Sequence, residues 1–124
     1  MNLSSNVNFL LKTQVQFKIM HWQTKGFARH NAYGGIYDAL DDLIDRYVEV
    51  AMGKSGRFVL DETTGTLTLT NLKDIKIIEH VQSIKAELMN LSNELDSTKD
   101  TDLLNIRDEM LAEVNKLAYL LTLE

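Results

Sequence analysis

A chain of 124 residues, 44% hydrophobic and 25% charged, is one domain's worth of ordinary globular composition and can bury a core without staples. It has no cysteine, which excludes disulfides, a zinc finger and a thiol nucleophile, and its net charge of −5 argues against nucleic acid as a bulk partner. No stretch approaches the roughly 18 apolar residues of a membrane span, the first residues lack the basic and apolar blocks of a secretory signal, and proline is absent, so the expectation is an all-α, cytoplasmic protein without a membrane partner.

The first helix is expected over residues 5–25. Leu11, Val15, Ile19 and Trp22 fall on one apolar stripe; Phe9, Leu10, Phe17 and Met20 fall on another. A helix apolar on two sides packs twice, once into its own core and once against a partner; the alternative is a central helix buried all round. Trp22 is expected to be core. Gly26 suits the C-cap. The second helix is expected over 29–52, with Ile36, Leu40, Leu43, Tyr47 and Val50 as its core stripe and Gly53 at its end.

Residues 53–71 differ in character. FVL and TLTLT have β propensity and flank the turn-like DETTG, so the segment reads as a β-hairpin or as an irregular crossover loop. A hairpin would leave its ends together. An extended run of this length spans roughly 60 Å, enough to return along a whole bundle. The third helix is expected over 72–95, capped by Asn71, with Ile77, Val81, Ile84, Leu88, Leu91 and Leu95 as its seam. The fourth is expected over 102–123, capped by Thr101, with Leu103, Ile106, Met110, Val114, Leu117 and Leu121 as its seam. The short polar turn DSTKDT makes these two helices antiparallel neighbours. The expected architecture is a four-helix bundle.

The second helix also carries a polar stripe. At about 100° per residue, His30, Asp41, Asp45, Asp38 and Glu49 share one side within about 100°, with Gly34 among them. Repulsion among carboxylates on one face needs solvent, basic residues or a cation to offset it. Mixed imidazole and carboxylate ligands suit iron, manganese or zinc, while a solvated acidic face is the plainer alternative. Gly34 and Gly35 each cost a helix about 1 kcal/mol relative to alanine, which points to close approach of another helix. Glu79 and His80 are adjacent rather than three apart, so they do not form a Glu-x-x-His metal pair, and His80 is expected to be exposed. No phosphate-binding glycine loop and no Ser-His-Asp motif is present.

HWQTKG at 21–26, then His30, then DRYVE at 45–49 resembles the first helical hairpin of the Dps mini-ferritins, in the ferritin-like superfamily. The pattern HWQT…H…YD…D…E is also similar to that of short proteins from tailed phages. The first resemblance implies a ferritin-like bundle, a homodimer or higher homo-oligomer, and an inter-subunit iron site. His21 and His30 of one chain would face Asp45 and Glu49 of another, with Asp38 and Asp41 as outer ligands or entry-path charges. It further implies oxidation of Fe²⁺ by peroxide or oxygen. Gly34 stands where that family carries a further aspartate. Two other functions follow from the same residues. One is a metal-binding module without turnover. The other is an assembly protein, phage-encoded and host-cytoplasmic, that uses the bundle to dimerise and residues 53–71 to hold a partner.

Overall fold

The computed structural model describes residues 2–123, and four helices carry the fold. These are α1 (Leu3–Gln23), α2 (Phe27–Ser55), α3 (Ile77–Asn90) and α4 (Thr101–Leu120), with 3₁₀ turns at Leu72–Asp74 and Leu91–Glu94. The all-α bundle expected from the hydrophobic periodicity is what forms.

Local chemistry sets the helix ends. The Asn2 side chain accepts from the Ser5 amide at 3.3 Å, so α1 starts earlier than its apolar pattern suggests. Gly26 is the N-cap residue of α2 rather than a C-cap of α1, whose C-cap is Thr24. α2 runs past Gly53 and stops at Gly56, whose φ of 87° is cheap only for glycine. Asn71 precedes the 3₁₀ turn, not α3, and its side chain accepts from Gln23 Nε2 at 2.9 Å. Asp100, not Thr101, occupies the N-cap position of α4.

α1 packs on α2, α2 on α4 and α4 on α3. The core is one cluster that includes Leu10, Phe17 and Met20 of α1, Tyr33, Ile36, Leu40, Ile44 and Tyr47 of α2, Val81, Ile84 and Leu88 of α3, and Leu103, Met110, Val114 and Leu117 of α4. Thus α1 turns its Leu10, Phe17 and Met20 stripe inward. The other stripe faces out: Leu11 is 39% exposed and Val15 and Ile19 are half-buried. Trp22 is not core; it is 65% exposed. Lys54 near the end of α2 reaches Asp102 at 3.1 Å and Asp100 at 3.4 Å, and Arg46 reaches Glu109 at 3.3 Å, so α2 and α4 run antiparallel.

The connection from α2 to α3 decides the topology. Residues 57–71 contain one turn at 62–65 and no strand, so the β-hairpin alternative does not form. The segment is an extended strap laid along α1. Asn8 Nδ2 donates to Thr64 O and Thr66 O, each at 2.8 Å. Buried Gln16 donates to Thr70 O and accepts from the Thr70 amide, both at 2.8 Å. Gln23 Oε1 accepts from the Leu72 amide at 2.8 Å. The strap therefore begins beside the start of α1 and ends beside its finish. α3 starts at the same end of the bundle as α2 and runs parallel to it, while α3 and α4 form an antiparallel hairpin.

His80 is not exposed. Its ring meets Phe17 edge-on at 5.9 Å, and its Nε2 is buried without a hydrogen-bond partner. Burial, then the charge of Lys12, holds its pKa below the ordinary histidine value.

Candidate metal centre

Where α1 ends and α2 begins, the two histidines clasp each other. Their rings stack with centroids 3.8 Å apart and planes 20° apart. His21 Nδ1 lies 2.7 Å from His30 O, and His30 Nδ1 lies 2.8 Å from His21 O. A carbonyl oxygen only accepts, so both Nδ1 atoms carry the proton. In the neutral rings both Nε2 atoms are then lone-pair donors. An imidazole that spends one ring N–H on a carbonyl and offers the other nitrogen is the usual arrangement for a metal ligand. The clasp also has a structural role, because the His21 carbonyl lies in the last turn of α1 and is orphaned from helical bonding.

Gly34 makes the clasp fit. A Cβ built there would lie 2.8 Å from His21 Nδ1 and 2.9 Å from His21 Cε1. The close approach expected at the glycine pair is thus made by an imidazole, and only at Gly34; Gly35 has nothing within 4 Å. A carboxylate cannot occupy position 34 while His21 sits where it does.

The acidic residues lie further along α2. Asp45 and Glu49 are one turn apart on its exposed face. A hydrogen bond to Asp45, then the Asp45 charge, raises the Glu49 carboxyl above its ordinary pKa. Two carboxylates one turn apart repel each other, and a cation between them would offset that repulsion. Asp41 accepts from buried Gln14 Nε2 at 3.0 Å, and Asp41, Asp42 and Asp45 line a groove of about 430 Å³ with Leu11, Val48 and Phe58. Asp38 is exposed. The step from His30 to Asp45 is roughly 22 Å along the helix at 1.5 Å per residue. Among the described residues no three His, Asp or Glu side chains converge on one metal position. One chain therefore unites the histidines with each other and the acids with each other, but does not bring the two groups together.

Two partners of this surface escaped the sequence reading. Lys18 Nζ lies 5.4 Å from the Trp22 ring centroid and 4.7 Å from that of Tyr37, a cation between two aromatic faces. The Lys18–Trp22 spacing of four was the available signal. Gln14, buried against Asp41, had none beyond its place between the apolar stripes. Among the described residues no helix is long and apolar enough to cross a membrane.

A stretch of 51 residues is 43% identical to the "Uncharacterized 14.6 kDa protein in mobD-ri intergenic region" of Enterobacteria phage T4, covering 41% of this chain and 40% of that protein. No solved structure matches. Residues 21–121, from the first clasped histidine through the end of α4, match the model of a family of unknown function, DUF5856. The chain belongs to that family.

Proposed function

We propose that two copies of this chain pair through the outward face of the α1–α2 hairpin and hold a divalent metal, iron in the first instance, between them. His21 and His30 of one copy would supply neutral imidazole ligands, and Asp45 and Glu49 of the other would supply carboxylates. Asp38 and Asp41 would line the approach. The observation that carries this reading is the reciprocal clasp, which fixes both Nε2 lone pairs for coordination. Three features support it. The outward apolar stripe is only partly covered among the described residues, with Leu11 39% and Trp22 65% exposed. A two-fold axis across α2 brings the histidine end of one copy to the acidic end of the other, closing the 22 Å separation. The single long crossover between parallel helices is the connection that ferritin-like bundles use. Bound iron would supply oxidation of Fe²⁺ by oxygen or peroxide, while the chain's own residues set ligand geometry and access. The phage relative is consistent with action in a host cytoplasm.

The test is complementation between defective chains. Anaerobic Fe²⁺ titration of His30→Ala and of Glu49→Gln should each show lost binding. A two-fold pair of one chain of each kind keeps one intact site of two, so a refolded equal mixture should recover about a quarter of wild-type capacity. Wild-type protein that binds no more Fe²⁺ than the variants would end the metal reading. Recovery of nothing by the mixture would end the inter-subunit one.

A second reading has its own observation. The strap exposes Val59 at 83%, with Leu60, Leu67 and Leu69 also outward. A ridge of this kind marks an interaction surface and favours an assembly role, with the bundle as a dimerisation scaffold and the strap holding a partner. It predicts dimerisation in metal-free buffer containing chelator, with no iron retained on purification.

A further inference from the structure

The end of the bundle where α2 and α3 begin holds a second feature that the metal reading does not use. A cleft of about 300 Å³ lies between the start of α3 and the end of α4. Ile77, Ile78, Val81 and Leu121 wall it, and Arg29 and Lys85 border it. Arg29 stands in core register: at about 100° per residue it falls between Tyr33 and Ile36 on α2, both buried. Burial pushes the Tyr33 phenol above its ordinary pKa, and Arg29 beside it pulls it partly back. Lys85 is half-buried and Arg29 is exposed. Among the described residues neither cation has a carboxylate within ion-pair distance.

A half-buried cation such as Lys85 costs free energy unless it is paired. It and the exposed Arg29 flank an apolar cleft at the lower end of the size range for small-molecule sites. We propose that the cleft binds a single-chain amphipathic carboxylate. The head group would sit at the rim formed by Arg29 and Lys85, where the guanidinium fork suits a planar two-oxygen anion. The hydrocarbon would lie against Ile77, Val81 and Leu121 and would cover Ile78, now 71% exposed.

Calorimetric titration of the full chain with decanoate tests this, with decanol, decyl phosphate and decyltrimethylammonium as parallel arms. Decanoate should bind saturably, one per chain, below its micellar concentration. Decanol should bind roughly tenfold more weakly or worse, since the charge-assisted bonds are lost, and the cationic amphiphile should not bind. Arg29→Gln and Lys85→Gln should each weaken decanoate and leave decanol unchanged, while Ile77→Ser should weaken both; thermal melts would establish that the variants fold. His30→Ala should bind decanoate like wild type, which separates this site from the metal reading. Decanol binding as tightly as decanoate, indifference of decanoate to the Arg29→Gln/Lys85→Gln pair, or no saturable binding would each overturn the proposal. Tenfold preference for decyl phosphate would overturn the assignment to a carboxylate.

Discussion

Gly34 and Gly35 are neighbours inside α2, and alanine at either removes the same helix penalty of about 1 kcal/mol. Their surroundings differ. A methyl at position 35 meets open space, so Gly35→Ala should stabilise the protein by about 0.5–1 kcal/mol. A methyl at position 34 would lie 2.8 Å from His21 Nδ1, closer than atoms approach without displacement. The ring cannot simply swing aside, because it is stacked on His30 and bonded to the His30 carbonyl. Displacing it forfeits that hydrogen bond, a net loss of about 1 kcal/mol, and overpacking adds about 1–3 kcal/mol. After the helix gain, Gly34→Ala should be less stable than wild type by about 1–3 kcal/mol. The two variants should therefore differ by about 2–4 kcal/mol, roughly 8–16 °C in Tm at about 4 °C per kcal/mol for a chain of this size. Thermal melts at one protein concentration read the difference, since the proposed pairing would make Tm depend on concentration. Imidazole ¹H–¹⁵N correlation spectra add a local readout: both histidines should show the Nδ1–H form in wild type and in Gly35→Ala, and His21 should lose it in Gly34→Ala. Equal stabilisation by the two alanines would refute the reasoning.

Other expectations concern particular contacts. His80 has its pKa lowered in the folded chain, so the unfolded chain binds more protons below about pH 6.5 and stability should fall as pH drops through that value, levelling below the folded pKa. His80→Phe should flatten this part of the urea-midpoint-against-pH curve, and an unchanged slope would place its origin elsewhere. Gln16→Leu removes both bonds to Thr70 and should speed hydrogen exchange at the Thr70 amide at least tenfold while costing about 1–2 kcal/mol of stability. Asp45→Asn should return the Glu49 carboxyl toward its ordinary titration, as read by ¹³C shifts against pH. Leu11→Arg should leave the fold intact and shift the molecular mass from light scattering toward monomer, because Leu11 lies on the outward stripe of α1.

The helical seams were legible because burial repeats at the helical period. Ile84 and Leu88, or Met110 and Val114, could hardly face anywhere else. Which of α1's two stripes turned inward was not legible, since both have the same period and only the placement of α2 and the strap decides. The site divides in the same way. That His21, His30, Asp45 and Glu49 belong to one hairpin follows from their spacing. That the two histidines bond each other's backbone follows from where two helix ends meet, a tertiary fact. The same holds for the strap: Asn8, Gln16 and Gln23 look like ordinary polar positions until the segment lying across them is known. Arg107 is a further case, buried in α4 with its guanidinium on Leu88 O at 3.2 Å, where charge alone suggested solvent.

The strap also divides the molecule into two contiguous pieces. α1 with α2, and α3 with α4, are each antiparallel hairpins closed by a short loop, and residues 57–71 are the one covalent link between them. A nick there would leave the pieces joined only by packing. Their reassembly would become bimolecular and would lose the effective concentration that the tether provides. Fragments 1–56 and 57–124 thus make a natural split pair, with the amide side chains of α1 holding the strap at the seam where they part.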